Sequence, residues 1–449
     1  MKRAIALMGQ NRAIVVGLMA QVLQYGAALL LLPFIVTRLP TAQVGIWYVF
    51  VTVQGLAALA DFGFQPTIAR SFAAAYAGAD RLHKEGLAGT AGSEPNLSLV
   101  NRILRTSRGL YLALAAVILL LLLTLGTWYI THIASREIDN IQHVQIAWVV
   151  FATGTAFNLY LLWVSPFLLG ANRATHNYLF LIASRGGFAI LGVIALLAGG
   201  GLIALALMNL AGGLIGRAVA AWSMRPMMRQ LRDAPPDHGP SVSVLSEIGP
   251  NAARMGLVAL GGFLINRFNV LIISSYAGLA TSASYAISLQ LLSALTAAAL
   301  LPSQIALPRM VSLRVRHEVA DLRRLFIRRH VFLLLLFVTG SLFLVLFGQP
   351  LLTIIGSRIV LLSPTLLFLL AFVLLLEANH TNCAFVITTG NRVPFVAGAL
   401  SSGIGVALLG GIAASQGFGV LGVITAQGVV QLAYNNWKWP RMLWKELKL

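Results

Sequence analysis

Twelve long apolar runs, separated by short polar segments, dominate the pattern of this chain. A helix that crosses a bilayer needs about 20 mostly apolar residues, and the runs have this length. They are continuous and do not alternate residue by residue, which excludes a transmembrane barrel of strands. The pattern therefore predicts an all-α polytopic membrane protein with about 12 transmembrane helices. The apolar runs lie at about 13–36, 44–62, 109–131, 145–169, 177–198, 202–224, 253–277, 283–307, 331–348, 360–388, 394–414 and 418–437.

The composition excludes a soluble enzyme. Of the 449 residues, 58% are hydrophobic and 10% are charged, whereas soluble domains average about 45–50% apolar and about 25% charged residues. The first run, 13–36, is too long for the apolar core of a signal peptide, and no small-residue cleavage site follows it. We interpret it as the first membrane span. The one cysteine, Cys383, excludes an internal disulfide bond.

The basic residues indicate how the chain is oriented in the membrane. The net charge is +19, and nearly all of the 32 Lys and Arg residues fall in loops that share one side of the membrane. Arg38, Arg136 and Arg358 fall in the opposite loops, and Arg185 and Arg267 fall within spans. Because Lys and Arg collect in cytoplasmic loops, we predict that both termini are cytoplasmic. Basic residues confined to short loops do not indicate binding to nucleic acid.

Short motifs recur in the same order in the two halves of the chain. Leu39–Thr41 precedes the second run as Leu279–Thr281 precedes the eighth, and Gly201 opens the sixth run as Gly419 opens the twelfth. Six spans in each half give both halves the same orientation, so the repeat is parallel, about an axis normal to the membrane. Many secondary transporters use such a repeat, with the substrate between two rocking lobes. The predicted divisions are an N-terminal lobe at 1–225, a cytoplasmic linker at 226–248 and a C-terminal lobe at 249–449.

The stretch Arg309–Arg329 mixes arginines with apolar residues such as Leu313, Leu322 and Phe326. This pattern predicts an amphipathic helix on the anionic inner leaflet of the membrane. The alternative interpretation is that the arginines act only as a topology signal.

Four segments share motifs with a known family. They are Thr37–Trp47 (TRLPTAQVGIW), Leu59–Phe64 (LADFGF) with the following Arg70, Asn266–Asn269 (NRFN) and Leu307–Arg309 (LPR). In order and topology these segments resemble the polysaccharide-transport family, which contains the O-antigen flippases. This family is the oligosaccharide-lipid branch of the multidrug/oligosaccharidyl-lipid/polysaccharide (MOP) exporter superfamily. The chain departs from the family pattern at Asn269, where an aspartate is common, and at Leu39 and Trp47, where glycine and tyrosine are usual.

The resemblance implies a flippase that moves an undecaprenyl-diphosphate-linked oligosaccharide, such as an O-antigen unit, across the bacterial inner membrane. The expected partners are that anionic lipid-linked oligosaccharide, membrane lipids and polysaccharide assembly proteins. We expect a monomer without a bound cofactor, driven by a proton or sodium gradient if transport is coupled.

Cationic side chains within spans are the first candidates for contact with a lipid diphosphate. An ionisable residue inside the membrane is a functional candidate by default, and Arg267 lies near the middle of the seventh span. A guanidinium group can hold a diphosphate with forked hydrogen bonds, and Asn266 and Asn269 flank it. The alternative for Arg267 is structural pairing with a neighbouring helix.

Other polar residues are weaker candidates for substrate binding. Arg185 lies close enough to a span end to reach the cytoplasmic surface. Arg38 at the outer end of the first span and Arg70 on the cytoplasmic side are equally consistent with interfacial and topological roles. Gln24, in the first span, faces either sugar hydroxyls or a neighbouring helix.

Acidic residues are rare in the spans, and three residues are candidates for ion coupling. Glu377 and His380 lie three residues apart, hence on one helical face, as a carboxylate–imidazole pair that could respond to protons. The alternatives for Glu377 are an ion pair with Arg267 and a polar packing role. Asp61 precedes Gly63, and we expect it to cap a helix break or to pair with Arg70. A metal site is not expected.

Three other functions remain open from the sequence. A multidrug or metabolite antiporter and a lipid II flippase share the superfamily architecture, and fold does not define the substrate. A membrane-embedded polysaccharide polymerase or ligase fits the sequence less well than a transporter does, because the short outer loops show no nucleophile–base arrangement. The excess of basic residues near the inner face favours an anionic substrate.

Overall fold

Every regular element that the computed structural model describes is helical. It describes residues 2–80, 94–233, 256–390 and 394–447, without the side chains of residues 2–15, 18, 21, 24 and 25. Three short tighter or wider turns, Leu59–Asp61, Leu122–Gly126 and Leu161–Trp163, interrupt longer helices. The helices are α1 (Lys2–Arg38), α2 (Thr41–Ala58), α3 (Phe64–Tyr76), α4 (Leu97–Leu121), α5 (Thr127–Ala134), α6 (Ile141–Tyr160), α7 (Val164–Gly170), α8 (Ala174–Leu197), α9 (Leu202–Arg232), α10 (described over 256–266), α11 (Asn269–Tyr276), α12 (Leu279–Val315), α13 (Val319–Ile354), α14 (Pro364–Thr388), α15 (Val396–Ser415), α16 (Gly419–Ala433) and α17 (Asn435–Leu447).

Ten described helical stretches are long and apolar enough to cross a membrane. They coincide with the second to eleventh predicted spans. The first predicted span lies on α1, whose described apolar part is Gly26–Arg38, and the twelfth lies on α16, which has 15 residues. The prediction of an all-α, multi-pass membrane protein is therefore confirmed.

Local sequence explains where several helices begin. The side chain of Asn96 accepts a hydrogen bond from the Leu99 N–H (3.0 Å) at the start of α4, and Asn140 accepts one from the His143 N–H (3.1 Å) at the start of α6. Such side-chain caps satisfy backbone donors that have no partner within the helix. Before α12 the chain turns at Gly278, whose φ of 87° favours glycine.

The predicted surface helix over Arg309–Arg329 is wrong. Helix α12 continues to Val315, and α13 begins at Val319 after a turn that contains His317 at a φ of 59°. The apolar residues of this stretch continue the helical periods of two long helices, and Leu322 and Phe326 are buried in a cluster with residues of α14 and α17. The arginines thus belong to the ends of α12 and α13.

The chain divides into two compact units. Unit 1 comprises Met1–Arg38, Val53–Ser135 and Asp139–Ala259, and unit 2 comprises Leu39–Thr52, Arg136–Ile138 and Leu260–Leu449. The boundary falls inside α2, so the first part of this helix belongs to unit 2 and its end to unit 1.

In unit 1, α8 packs along both α1 and α9, and α6 packs on the other side of α9. Helix α3 packs on α7, where the rings of Phe72 and Phe167 meet edge to face at 5.2 Å between centroids. These rings belong to a buried cluster with Tyr111 and Trp163. Each such ring buries a large apolar area, and an edge-to-face pair adds about 0.5–1.5 kcal/mol to that burial.

In unit 2, α12 packs against α13 and α14, and α15 packs against α16. Helices α10 and α15 approach closely enough that a Cβ atom at Gly261 would lie 2.4 Å from the backbone of Ala399. Small residues permit such close backbone approach between membrane helices. Near the end of the chain, Phe395 and Trp439 meet edge to face at 4.7 Å.

Candidate functional site

A buried carboxylate lies at the centre of a polar network in unit 2. Oε1 of Glu377, in α14, accepts hydrogen bonds from Nε2 of Gln427 (2.7 Å) and from Nε2 of Gln431 (3.4 Å), both in α16. All three side chains are buried. Since a buried polar group without a partner is unfavourable, the two amides are what allow this carboxylate to lie inside the helix bundle.

The network extends from Gln427 towards α11 and α12. Nδ2 of Asn269 donates to Oε1 of Gln427 (2.8 Å) and lies 3.4 Å from the hydroxyl of Tyr285. Both Asn269 and Tyr285 are completely buried. The Oδ1 atom of Asn269 has no hydrogen-bond partner within the described part of the chain.

The network also extends from Gln431 towards the end of the chain. Nδ2 of Asn435 donates to Oε1 of Gln431 (2.7 Å) and to Oγ of Ser402 (2.9 Å), and Nε1 of Trp439 donates to Oδ1 of Asn435 (2.9 Å). Side chains of six helices, α11, α12 and α14–α17, are thereby joined in one chain of hydrogen bonds.

The structure does not join Glu377 to the partners considered from the sequence. His380 lies one turn further along α14, but its Nδ1 atom contacts Oδ1 of Asn436 at 2.7 Å. Among the described residues, the ion pairs are Arg314–Glu446 and Arg324–Asp321, so Glu377 forms none with Arg267. A second histidine contact, between His330 Nδ1 and Asn382 Nδ2 at 3.0 Å, lies between α13 and α14.

Arg267 lies at a break in the seventh span, Gly256–Tyr276. Helix α10 ends before it and α11 begins after Phe268. The Phe268 N–H bonds to the carbonyl of Phe263 (3.1 Å), and the Val270 N–H bonds to the carbonyl of Arg267 (3.1 Å). The hydrogen-bond spacing thus changes from five residues to three. In transporters, broken helices at membrane depth commonly line substrate and ion sites.

The Arg267 side chain is exposed, although the residue lies mid-span. Within unit 2, Tyr48 and Tyr285 are near enough to interact with it electrostatically. Tyr48 is itself oriented by a 2.6 Å hydrogen bond from its hydroxyl to Oε1 of Gln290.

The two asparagines predicted to flank Arg267 do not converge with it. Nδ2 of Asn266 donates back to the carbonyl of Gly262 on its own helix (3.1 Å), and Asn269 is engaged with Gln427. Helical spacing is consistent with this result, because side chains one or two positions apart do not face each other on a helix. Of the three predicted residues, Arg267 alone is exposed.

Arg185, Arg38 and Arg70 are all exposed. Arg185 lies in α8, and Arg38 is in the last turn of α1. Nη2 of Arg70 lies 3.4 Å from Oγ1 of Thr67 on α3. The side chain of Gln24 lies outside the described residues, although its backbone is part of α1.

Asp61 holds a helix break in unit 1. The tight turn Leu59–Asp61 is followed by Phe62 and Gly63 at φ values of 44° and 74°. The Asp61 carboxylate accepts a hydrogen bond from the Tyr111 hydroxyl and is also hydrogen-bonded to the backbone of Gly63 and Gln65. No ion pair between Asp61 and Arg70 occurs among the described residues. Asp61 therefore caps the break between α2 and α3.

The partners of Glu377 were not among the residues predicted from the sequence. The signal was present, because Gln427, Gln431 and Asn435 recur every four residues in an otherwise apolar segment. Residues four apart share a helical face, so the spacing marks a polar stripe. Tyr285, in contrast, has no such signal.

Apolar spanning helices, one of them broken at an exposed arginine, and a buried polar network define a polytopic membrane protein. A family model described as polysaccharide biosynthesis protein matches residues 11–314. The chain belongs to this family, which lies within the MOP exporter superfamily, and the resemblance found from the sequence is confirmed. Among curated proteins, none is similar enough to this chain to match.

Solved structures of the MOP superfamily share the fold over nearly the whole chain. An inward-facing multidrug resistance MATE family transporter has a TM-score of 0.66 at 15% identity, covering 97% of this chain and 99% of that chain. An outward-facing one has a TM-score of 0.60 at 16% identity, covering 97% and 95%. A MOP superfamily transporter from Pyrococcus furiosus, described as having a binding pocket of reverse polarity, has a TM-score of 0.58 at 16% identity, covering 98% and 96%. These similarities show the fold alone.

Two substitutions at Glu377 separate the role of its hydrogen bonds from that of its charge. Glu377→Leu leaves the amides of Gln427 and Gln431 without their acceptor, and we expect a loss of about 1–3 kcal/mol in stability. Glu377→Gln keeps an acceptor oxygen at the same place, so its thermal midpoint should stay close to that of the unsubstituted protein. The measurement is thermal unfolding of the purified proteins in detergent. Equal midpoints for the two variants would contradict a network held by these hydrogen bonds.

Proposed function

We propose that this protein is a flippase that moves an undecaprenyl-diphosphate-linked oligosaccharide, such as an O-antigen or other surface polysaccharide unit, across the bacterial inner membrane. Membership of a family of polysaccharide biosynthesis proteins supports the sugar-bearing substrate. The MOP transporter fold supports translocation. The observation that carries the proposal is the exposed guanidinium of Arg267 at a helix break in mid-span.

The chemistry of the substrate explains why a cation is needed there. A lipid diphosphate brings negative charge into a region where charge is strongly disfavoured. A guanidinium group offers two parallel N–H donors to phosphate oxygens and stays charged. Arg267 would meet the diphosphate midway, and Arg185, Arg38 and Arg70, which are also exposed, would serve it nearer the membrane surfaces. Transport would follow alternating access of the two lobes predicted from the sequence repeat.

A second candidate is a multidrug or metabolite antiporter, and a lipid II flippase shares the same architecture. The observation that favours the antiporter is the similarity to multidrug resistance transporters. Against it, a cationic drug needs an accessible carboxylate. The Glu377 carboxylate is buried and bonded to two amides, and the Asp61 carboxylate caps a helix break. Of these three charged residues, Arg267 is therefore the accessible one.

Deletion of the gene tests the proposed function. A flippase of this kind should be required for surface polysaccharide, and its absence should leave lipid-linked single repeat units on the cytoplasmic side. The measurements are the surface glycan and the extracted undecaprenyl-linked intermediates, compared with a strain complemented in trans. Normal surface glycan without accumulated intermediates would contradict the proposal and favour the antiporter.

Substitution of Arg267 tests its contact with the diphosphate. Arg267→Ala should abolish complementation of the deletion strain, because the phosphate loses its cationic partner. Arg267→Lys should restore it in part, since the charge remains and the forked geometry is lost. The measurement is surface glycan together with the amount of protein in the membrane fraction. A matched control is Arg316→Ala, which removes an exposed arginine from the turn between α12 and α13. Full activity of Arg267→Ala would disprove the phosphate contact.

Ion coupling through Glu377 is part of the same proposal. Glu377 is buried in a network that joins six helices, so a proton or sodium ion bound to its carboxylate would change how these helices pack. His380 lies one turn away on α14. Asp61 is a weaker candidate, because its carboxylate is used in a helix cap. In proteoliposomes, Glu377→Gln should translocate substrate but lose its response to a proton or sodium gradient. An undiminished response to both gradients would exclude Glu377 from coupling.

A further inference from the structure

Five arginines surround a cavity in unit 1 that the proposed transport function does not use. The cavity has a volume of about 300 Å³, at the lower end of the range of ligand pockets. Arg108 of α4 lies on one side and α9 provides the rest. The residues that line the cavity are Arg108, Arg217, Ala221, Met224, Arg225, Met228, Arg229 and Arg232.

The lining residues of α9 follow helical spacing. From Arg217 to Arg232 they recur at intervals that place them on one face of the helix. Seven of the eight lining residues belong to α9, and four of those seven are arginines. None of the eight described residues around the cavity is acidic. Like charges gathered in this way repel one another unless an anion lies between them.

Two of these arginines are partly buried. Arg108 stacks over the ring of Trp163 with its Cζ atom 4.3 Å from the ring centroid, and its Nη2 atom lies 3.5 Å from Sδ of Met228. Its Nε atom is buried and has no hydrogen-bond partner among the described residues. Arg217 is half-buried and near enough to Arg108 to interact with it electrostatically. The contacts with Trp163 and Met228 hold Arg108 in place, so this side of the cavity is a built site and not a flexible basic surface.

The depth of the cavity indicates a ligand that belongs to the membrane. From Leu202 to Trp222, α9 rises about 30 Å at 1.5 Å per residue, which equals the thickness of the hydrocarbon core. Trp222 is 60% exposed, as expected of a tryptophan at the interface between hydrocarbon and water. At the same rise, Arg225 lies about 5 Å beyond Trp222, within the head-group layer, and Arg229 and Arg232 lie about 10 and 15 Å beyond it, towards the water.

Exposed leucines lead from the cavity into the hydrocarbon region. Leu112 lies one turn from Arg108 on α4, and Leu214 lies one turn from Arg217 on α9, each on the side away from the predicted cytoplasmic ends. They are 60% and 52% exposed, respectively. A ligand with phosphate among the arginines and acyl or prenyl chains along these leucines would contact both surfaces.

We propose that this cavity, bounded by Arg108 and the arginine face of α9, binds the phosphate groups of an anionic membrane lipid. Basic pockets between spanning helices on the cytoplasmic side take such head groups. The site binds a lipid whether or not the protein is a flippase.

The test is lipid binding by the full-length protein, purified, delipidated and titrated in detergent, with bound lipid counted by native mass spectrometry. The probes are cardiolipin, phosphatidylglycerol, undecaprenyl diphosphate and the zwitterionic phosphatidylethanolamine. The double variant Arg225→Gln, Arg229→Gln should weaken binding of the anionic probes about tenfold or more, because each guanidinium–phosphate contact is a charge-assisted hydrogen bond. The control, Arg316→Gln with Arg328→Gln, removes the same charge from exposed arginines of unit 2 and should leave binding within about twofold.

The remaining outcomes each support or overturn the proposal. Binding of cardiolipin, phosphatidylglycerol or undecaprenyl diphosphate that is stronger than binding of phosphatidylethanolamine supports the proposal. The anionic probe that binds most strongly then identifies the lipid. Equal weakening by the two double variants would show a general charge effect and overturn it, as would equal binding of phosphatidylethanolamine. Displacement of lipid by an equal concentration of inorganic diphosphate would show a site for soluble anions and would also overturn the proposal. Because binding is measured without transport, loss of surface glycan in the deletion strain neither supports nor weakens this proposal.

Discussion

The absence of water from the hydrocarbon core is the constraint on which the rest of this structure depends. Inside it, every polar group must find its partner within the protein. Glu377 meets this condition with two amides, and each amide then presents its own oxygen to another donor, Asn269 on one side and Asn435 on the other. One buried carboxylate thus accounts for a chain of side chains that joins six helices.

The arginines meet the same constraint in a different way. A guanidinium has five donors and no acceptor, so amides cannot enclose it as readily as they enclose a carboxylate. In unit 2 Arg267 lies where the helix is broken and its side chain is exposed. In unit 1 Arg108 and Arg217 lie in the middle parts of α4 and α9, where both line a cavity and Arg108 also stacks on an aromatic ring. In both units, therefore, cations are placed where an anion from outside the protein can reach them.

How much could be predicted from the sequence depends on the range of each interaction. The spans follow from runs of neighbouring residues, so ten were located correctly, and the break after Asp61 follows from Gly63 two residues later. The partners of Glu377 lie about fifty residues further along the chain, and although their four-residue spacing marks a polar stripe, nothing in the sequence connects that stripe to Glu377. The break at Arg267 was not predicted, and Asn269 beyond it is bonded to Gln427, a residue 158 positions further along the chain. The surface helix was wrong because a helical period does not show where one long helix ends and the next begins.

The shared fold leaves the substrate open, since the MATE relatives have it at about 15% identity. Discrimination between a cationic drug and an anionic lipid rests on which charge the substrate can reach. A buried carboxylate that accepts two amide hydrogen bonds at one oxygen suits a small ion that can replace one of them without moving a helix. A bulky cation would have to displace both Gln427 and Gln431. The guanidinium of Arg267 requires no such displacement, because its side chain is exposed at the helix break. The carboxylate of Glu377 is enclosed and the guanidinium of Arg267 is accessible. This difference favours a small coupling cation together with an anionic substrate.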